Sequence, residues 1–186
     1  MRYSLAARVG WNRLALETDL PRNAYRFQTT WHFAASLEEV SEILQDVEGL
    51  PRWWTSVYQQ VQVLEPGDST GVGKRVRVST RGLLPYALRW EFVVEESGWP
   101  HAAVIRANGD LVGRGEWSLS ARDHFVEVRY RWEVTAEKPI LKALSAFLRP
   151  VFEWNHRWAM RQGERAVIRE LMRKRIERQP ITQEVC

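Results

Sequence analysis

The sequence predicts an α+β domain: an antiparallel sheet covered on one face by a long C-terminal helix, with two short helices after the first strand. Three observations support this. Segments with strand character fill the region from Tyr58 to Thr135, and "FVEVRYRWEVT" alternates cleanly, with Val126, Val128, Tyr130, Trp132 and Val134 on one face. A helical pattern then runs from about Ile140 to Arg178, roughly ten turns. Near the start, "SLEEVSEILQD" follows a strand-like stretch and opens with its own cap. An antiparallel sheet with one wet face must bury the other, and the closing helix is the available cover.

The elements follow in order. Residues 1–24 are an N-terminal extension in which "YSLAARVGWNRLALE" suits a short amphipathic helix, broken at Gly10 and ended by "DLPRN". Glu17 and Asp19 interrupt its basic character and argue against a cleaved presequence. From Tyr25, "YRFQTTWHF" is rich in aromatic and Thr residues and reads as a strand. Ser36 followed by Glu39 forms a capping box, and Val40, Ile43 and Leu44 share one helix face. "GLP" ends that helix, and "RWWTSV" gives a second short helical turn.

Five or six strands come next. "YQQVQVL" and "KRVRVST" flank the loop "EPGDSTGVG", and "YALRWEFVVEE" sets Tyr86, Leu88, Trp90, Phe92 and Val94 on one face. "AAVIRA" and "LVGRGEWSLS" are joined through "NGD", where Asn-Gly suits the positive φ angles of a type I′ hairpin turn. The domain is thus expected over residues 25–178, followed by a tail at 179–186.

At 186 residues, with 45% apolar and 27% charged residues, the composition is that of a single soluble globular domain. The single Cys186 is the last residue, which excludes an internal disulfide and fits a reducing, cytoplasmic setting. No apolar window approaches a membrane span. The net charge of +4 is too modest to imply nucleic acid.

"GDSTGVGKR" mimics a phosphate loop, but Gly67 and Gly73 are separated by five residues, and Arg75 stands where Ser or Thr is needed. "GVGKRV" and "GRGEWS" lack the third glycine of a dinucleotide fingerprint. His32, His101, His124 and His156 are scattered without a metal-ligand spacing, and no Ser or Cys sits in a nucleophile elbow. Neither a metal nor a cofactor is expected.

The informative stretch is "RPVFEWNHRWAMRQG". Leu144, Leu148 and Val151 share a helix face that continues through Asn155 and Trp158, with His156 beside it. An amide on an apolar stripe either satisfies a neighbouring backbone group or faces a cavity. Gly113 and Gly115 pose a similar choice. They fall on one strand face with Leu111, Trp117 and Leu119, and either mark a bend or leave room for a ligand.

The order of elements, with "WHFAASLEEVSEILQD", "PRWWTSV", "GVGKRVRV", "NGDLVGRGEWSL", "YRWEV", "KPIL" and "RPVFEWNHRWAMRQG", resembles the START-type (SRPBCC) superfamily. Within it, the polyketide cyclase/dehydrase and lipid-transport group is the nearest likeness, over roughly Tyr25 to Leu171. The resemblance implies a helix-grip fold, in which a curved sheet grips the C-terminal helix around a hydrophobic cavity. Its members bind, carry or cyclise apolar small molecules.

On this reading the ligand-binding wall comprises Trp53, Tyr86, Trp90, Trp117, Tyr130, Asn155 and Trp158, each also a candidate for ordinary core. Arg106 would offer a guanidinium to an acidic head group or lie in solvent. Asp110 reads as turn chemistry. If the protein is an enzyme, cyclisation or dehydration would draw on orientation, with His156 shuttling a proton and Asn155 anchoring an enolate oxygen.

Arg157, Arg161, Arg165, Arg169 and Arg173 recur every four residues. They form either a solvated face or a basic stripe for an anionic membrane or acidic partner. No stacking aromatics stand among them beyond Trp158, so specific nucleic-acid binding is not expected. The function expected first is binding of a hydrophobic small molecule for carriage or presentation, with a cyclase/dehydratase and a non-catalytic interaction module as alternatives.

Overall fold

The computed structural model describes residues 24–137 and 139–178, with the side chains of the closing helix described from Pro150 onward. The elements are β1 (Ala24–Phe33), α1 (Leu37–Gln45), α2 (Leu50–Trp53), β2 (Tyr58–Glu65), β3 (Arg75–Arg81), β4 (Ala87–Gly98), β5 (Ala102–Gly109), β6 (Leu111–Ala121), β7 (Val126–Ala136) and α3 (Pro139–Arg178). This is the expected order. The expected extension before Ala24, the C-terminal tail with Cys186, and the side chains of Leu144 and Leu148 lie outside the described residues.

All seven strands form one antiparallel sheet in the order β1-β7-β6-β5-β4-β3-β2, curved and open at its two edges. Alternation decides which face is buried. Along β7, Val126, Val128, Tyr130, Trp132 and Val134 are buried, and in β3 Val76 and Val78 are sealed from solvent. Each fully buried valine contributes roughly 2 kcal/mol relative to an exposed one. The opposite face carries cross-strand ion pairs such as Arg26–Glu133 and Arg77–Glu91. Among the described residues no helix is long and apolar enough to cross a membrane.

One turn expectation changes, and the choice left open at the glycines of β6 is decided. The β5–β6 connection is not a type I′ turn, because Gly109 has φ 115° while no described residue other than glycine has a positive φ. Asn108 instead accepts a hydrogen bond from the Gly109 amide through its side chain, and pairing resumes at Ala107–Gly113. The glycines of β6 leave no room for a ligand. A Cβ on Gly113 would stand 2.0 Å from the Glu133 carbonyl oxygen, so the glycine permits a close approach of β7. A Cβ on Gly115 would meet the Tyr130 hydroxyl at 2.7 Å and the rings and chains beside it.

The C-terminal half of α3 is fastened to the short helices by charge. The Ser36–Glu39 capping box forms as the sequence predicts, and Glu39 also accepts from Arg175 at 2.8 Å. Glu42 takes Lys174 and Arg178. Glu170 is only 4% exposed and accepts from Arg52 of α2 at 2.5 Å and from Arg173 at 2.7 Å. The Arg173 and Arg52 hydrogen bonds hold the Glu170 carboxyl down at about 2.

Because that value is depressed from 4.5, the stabilisation is complete above pH 4.5 and is lost as pH falls toward 2. Both arginines are half-exposed, which discounts the net gain to roughly 2 kcal/mol. Glu170→Gln should therefore be less stable than wild type by about that much at neutral pH, and the gap should shrink at about pH 3. Urea denaturation at both pH values measures it; a gap unchanged by acid would show that the carboxylate charge is not what holds the helix.

Candidate functional site

Between the concave sheet face and the middle of α3 the packing leaves a cavity of about 170 Å³. β1 contributes Tyr25 and Phe27, β4 contributes Leu88 and Trp90, β7 contributes Tyr130 and Trp132, and α3 contributes Phe152, Asn155, His156 and Met160. A second chamber of about 380 Å³ lies toward α1, α2 and the β2–β3 loop. Trp54, Tyr58, Trp90, Trp117 and Tyr130 line both, so the two volumes meet at an aromatic partition.

The partition is held ring on ring. Trp117 stacks on Tyr130 with centroids 4.0 Å apart, and Trp90 packs at 5.7 Å from Trp132. Trp90 also donates its indole N–H to Thr80 Oγ1 at 3.1 Å. Trp54 is laid against α3 because position 163 is glycine: a Cβ there would come within 2.4 Å of the indole.

His156 stacks on Phe27 at 4.0 Å with planes 14° apart. Burial and then the neighbouring Arg157 charge hold its imidazole down at about 4, so the ring is neutral at neutral pH. Its Nε2 is buried and has no hydrogen-bond partner among the described residues, and the same holds for Trp54 Nε1. Asn155 Oδ1 is committed: it accepts the amide N–H of Leu83 at 2.8 Å. Gly82 fits beneath it because a Cβ would lie 2.1 Å from that oxygen. Asn155 thus ties the β3–β4 loop to α3 while lining the cavity beside it.

The phenols do not ionise near neutrality either. Burial pushes Tyr86 up to about 12, helped by the proximity of Tyr25, and raises Tyr58 and Tyr130 further. Apart from Arg81, the walls of the first chamber therefore present neutral hydroxyls, one neutral imidazole, the Asn155 amide and aromatic faces.

Of the residues singled out from sequence, Tyr86, Trp90, Trp117, Tyr130, Asn155 and His156 line the first chamber, and Trp53 lines only the second, donating its N–H to the Asp46 carbonyl. Two of the residues singled out lie outside both chambers, Arg106 in the solvent-facing alternative the sequence left open. Trp158 packs against the edge of the core and lines neither chamber. Arg106 sits on the outer sheet face, opposite Val93 and Arg114, in an ion pair with Glu95. Sequence reasoning missed Trp54, Tyr58, Tyr25, Phe27 and Phe152. Tyr25 and Phe27 were findable from the two-residue period of β1, whereas Trp54 differs from Trp53 only through the turn that follows α2.

Two measurements probe this geometry. His156 is depressed from 6.5, so below that value the unfolded chain takes up a proton that the folded one does not. Stability should fall as pH drops from 6.5 toward 4. His156→Phe keeps the stack and removes the titration, so between about pH 7 and pH 5 it should lose less stability than wild type, by roughly 1–2 kcal/mol in chemical denaturation. Asn155→Ala should cost about 1 kcal/mol and speed amide exchange at Leu83, with little change in the distant strands.

A family model described as polyketide cyclase/dehydrase and lipid transport matches residues 24–177. The fold is similar to the Zhui aromatase/cyclase of Streptomyces sp. R1128, with a TM-score of 0.64 and 17% identity over 87% of this chain and 99% of that one. It is also similar to a START superfamily protein of Mycobacterium smegmatis (TM-score 0.61, 14% identity, 80% and 98% covered). A protein of Thermus thermophilus gives a TM-score of 0.63 at 16% identity, with 78% and 99% covered. No curated protein matches the chain. At these identities the structural likeness concerns the fold alone. Since the family model runs from the first strand almost to the end of α3, this chain belongs to the polyketide cyclase/dehydrase and lipid transport family.

Proposed function

We propose that this protein binds a hydrophobic small molecule in the cavity between sheet and helix, for carriage or presentation. The observation that carries the reading is the character of the wall. It is largely aromatic and aliphatic, with Thr80, Arg81 and Asn155 among the exceptions, and two buried polar atoms on it, His156 Nε2 and Trp54 Nε1, lack partners among the described residues. A buried polar atom left unpaired costs about 1–3 kcal/mol. A largely apolar guest bearing an oxygen function would satisfy such atoms while filling the volume with ring and chain contacts. Trp54 Nε1–H can only donate, so it calls for a carbonyl, ether or hydroxyl oxygen.

Cyclase or dehydratase chemistry is the alternative within the same family. Acid–base catalysis works best with groups that titrate near the working pH. His156, held near 4, and the raised tyrosines are poorly matched to that task, which favours binding over proton shuttling. Asn155 already spends its carbonyl oxygen on Leu83, which weakens its candidacy as an anchor for a reacting oxygen. A further reading concerns the outer face of α3: Arg157, Arg161, Arg165 and Arg169 would rest on an anionic partner while the cavity holds its guest.

Native mass spectrometry of the purified protein should show a co-purified apolar molecule, and a fluorescent apolar probe such as N-phenyl-1-naphthylamine should bind and be displaced by it. Ala159 lines the first chamber from α3. Ala159→Phe should fill that space and weaken probe binding at least about tenfold while the melting transition stays cooperative. Probe affinity unchanged in a folded Ala159→Phe protein would remove the cavity from consideration.

A further inference from the structure

The last six turns of α3 show two populations of basic residues. Arg173, Lys174, Arg175 and Arg178 are each paired with a glutamate, of α1 or of α3 itself. Arg157, Arg161, Arg165 and Arg169 are all exposed and have no ion-pair partner among the described residues. Most other described cations are paired, so four consecutive unpaired arginines on one helix face stand out from the rest of the surface.

The same face carries large apolar side chains in water. Trp154 is 53% exposed, Met172 59% and Ile176 70%, and Ile168 is exposed as well. Positions 154, 157, 161, 165, 168, 172 and 176 follow one another by three or four residues, so they form a single stripe. From Trp154 to Ile176 it extends about 33 Å. Glu170 and Glu177 lie on the other side of the helix, while Glu153 and Glu164 stand at the margin of the stripe, three or four residues from Arg157 and Arg161. The opposite face, including Met160, Ala166, Val167 and Leu171, is buried in the core, so this helix is already amphipathic toward its own sheet and still exposes apolar bulk outward.

Resting on the reading that the cavity binds an apolar guest, we infer that this stripe is a docking surface for an anionic lipid bilayer. Arginine guanidinium groups reach lipid phosphates, while tryptophan, methionine and isoleucine enter the headgroup region. The alternatives fit less well. Nucleic acid would leave three exposed aliphatic side chains unused and offers stacking only to Trp154. A second copy across a two-fold axis would set arginines against arginines if parallel, and would bury the Arg157 and Arg161 guanidinium groups against Met172 and Ile168 if antiparallel.

The position is also informative. Next to Trp154, Asn155 holds the β3–β4 loop, whose Gly82 and Leu84 line the first chamber and whose Leu83 is exposed. A protein resting on this stripe has that edge of its cavity close to the lipid, which shortens the path of an apolar guest through water.

Flotation with vesicles tests the inference. Wild-type protein should bind phosphatidylcholine vesicles containing about a third phosphatidylserine, bind pure phosphatidylcholine far less, and release as salt rises. Arg161→Glu with Arg165→Glu should weaken binding at least about tenfold, and Met172→Ser with Ile176→Ser should weaken it several-fold. All four residues are exposed, so melting transitions should stay close to wild type.

Absence of wild-type binding to anionic vesicles at low salt would overturn the proposal. So would equal binding to neutral vesicles, or vesicle binding that survives the charge reversals. Binding to duplex DNA or heparin without binding to vesicles would assign the stripe to another polyanion and overturn the bilayer. N-phenyl-1-naphthylamine binding, measured without vesicles, reports on the cavity alone, so a failure of that reading is seen separately from a failure of this one.

Discussion

The seating of α3 on the sheet governs the remaining geometry. Its C-terminal half is locked by contact and charge: Trp54 lies against the bare backbone at Gly163, and buried Glu170 gathers Arg52 and Arg173. Neither feature tolerates much displacement, since a Cβ at 163 would collide and an unpaired Glu170 would be a buried charge. With that end fixed, the turns from Phe152 to Met160 stand over the concave face and meet it through ring contacts, Phe152 on Tyr25 and His156 on Phe27. Large rings meeting at angles do not fill a curved space completely, and the residual volume is the cavity.

The polar groups around that volume follow one pattern. Each titratable side chain lining the first chamber that burial perturbs titrates further from neutral pH, His156 downward and the tyrosines upward. Desolvation is the leading cause in each case, because burial disfavours whichever form carries charge. Apart from Arg81, such a chamber offers shape and a few hydrogen bonds rather than charge. Asn155 shows how economical the arrangement is: one amide both lines the chamber and fixes the loop beside it.

The contrast between the two ends of α3 has the same origin. Where α1 and α2 pack against it, arginines find glutamates and become part of the scaffold. Where no described element covers it, arginines and apolar side chains face outward together. Exposed tryptophan, methionine and isoleucine cost solubility, and a face that keeps them beside unpaired cations is chemically suited to a lipid surface.

Much of this was legible in the sequence, and the exceptions are instructive. The alternation of β7 and the Ser36–Glu39 cap are local patterns with one physical solution each, and both stand as read. The inward direction of the aromatic positions in β4, β6 and β7 could be read because a two-residue period fixes the face. Helical faces were harder. Trp158 and Asn155 lie three residues apart on the same helix, yet only Asn155 lines the chamber, while Trp158 packs against the core. Arg106 was ambiguous within an apolar run, and pairing with Glu95 across the sheet decided its side. Periodicities and contacts within a few residues were thus enough for the order of elements, the face each strand buries and the cap that starts α1. They were not enough to show that Gly113 and Gly115 receive neighbouring atoms rather than a guest, that Asn155 holds Leu83, or that four arginines stay without described partners. Those outcomes depend on which distant segments arrive at a given face, and no local pattern encodes the distance between them.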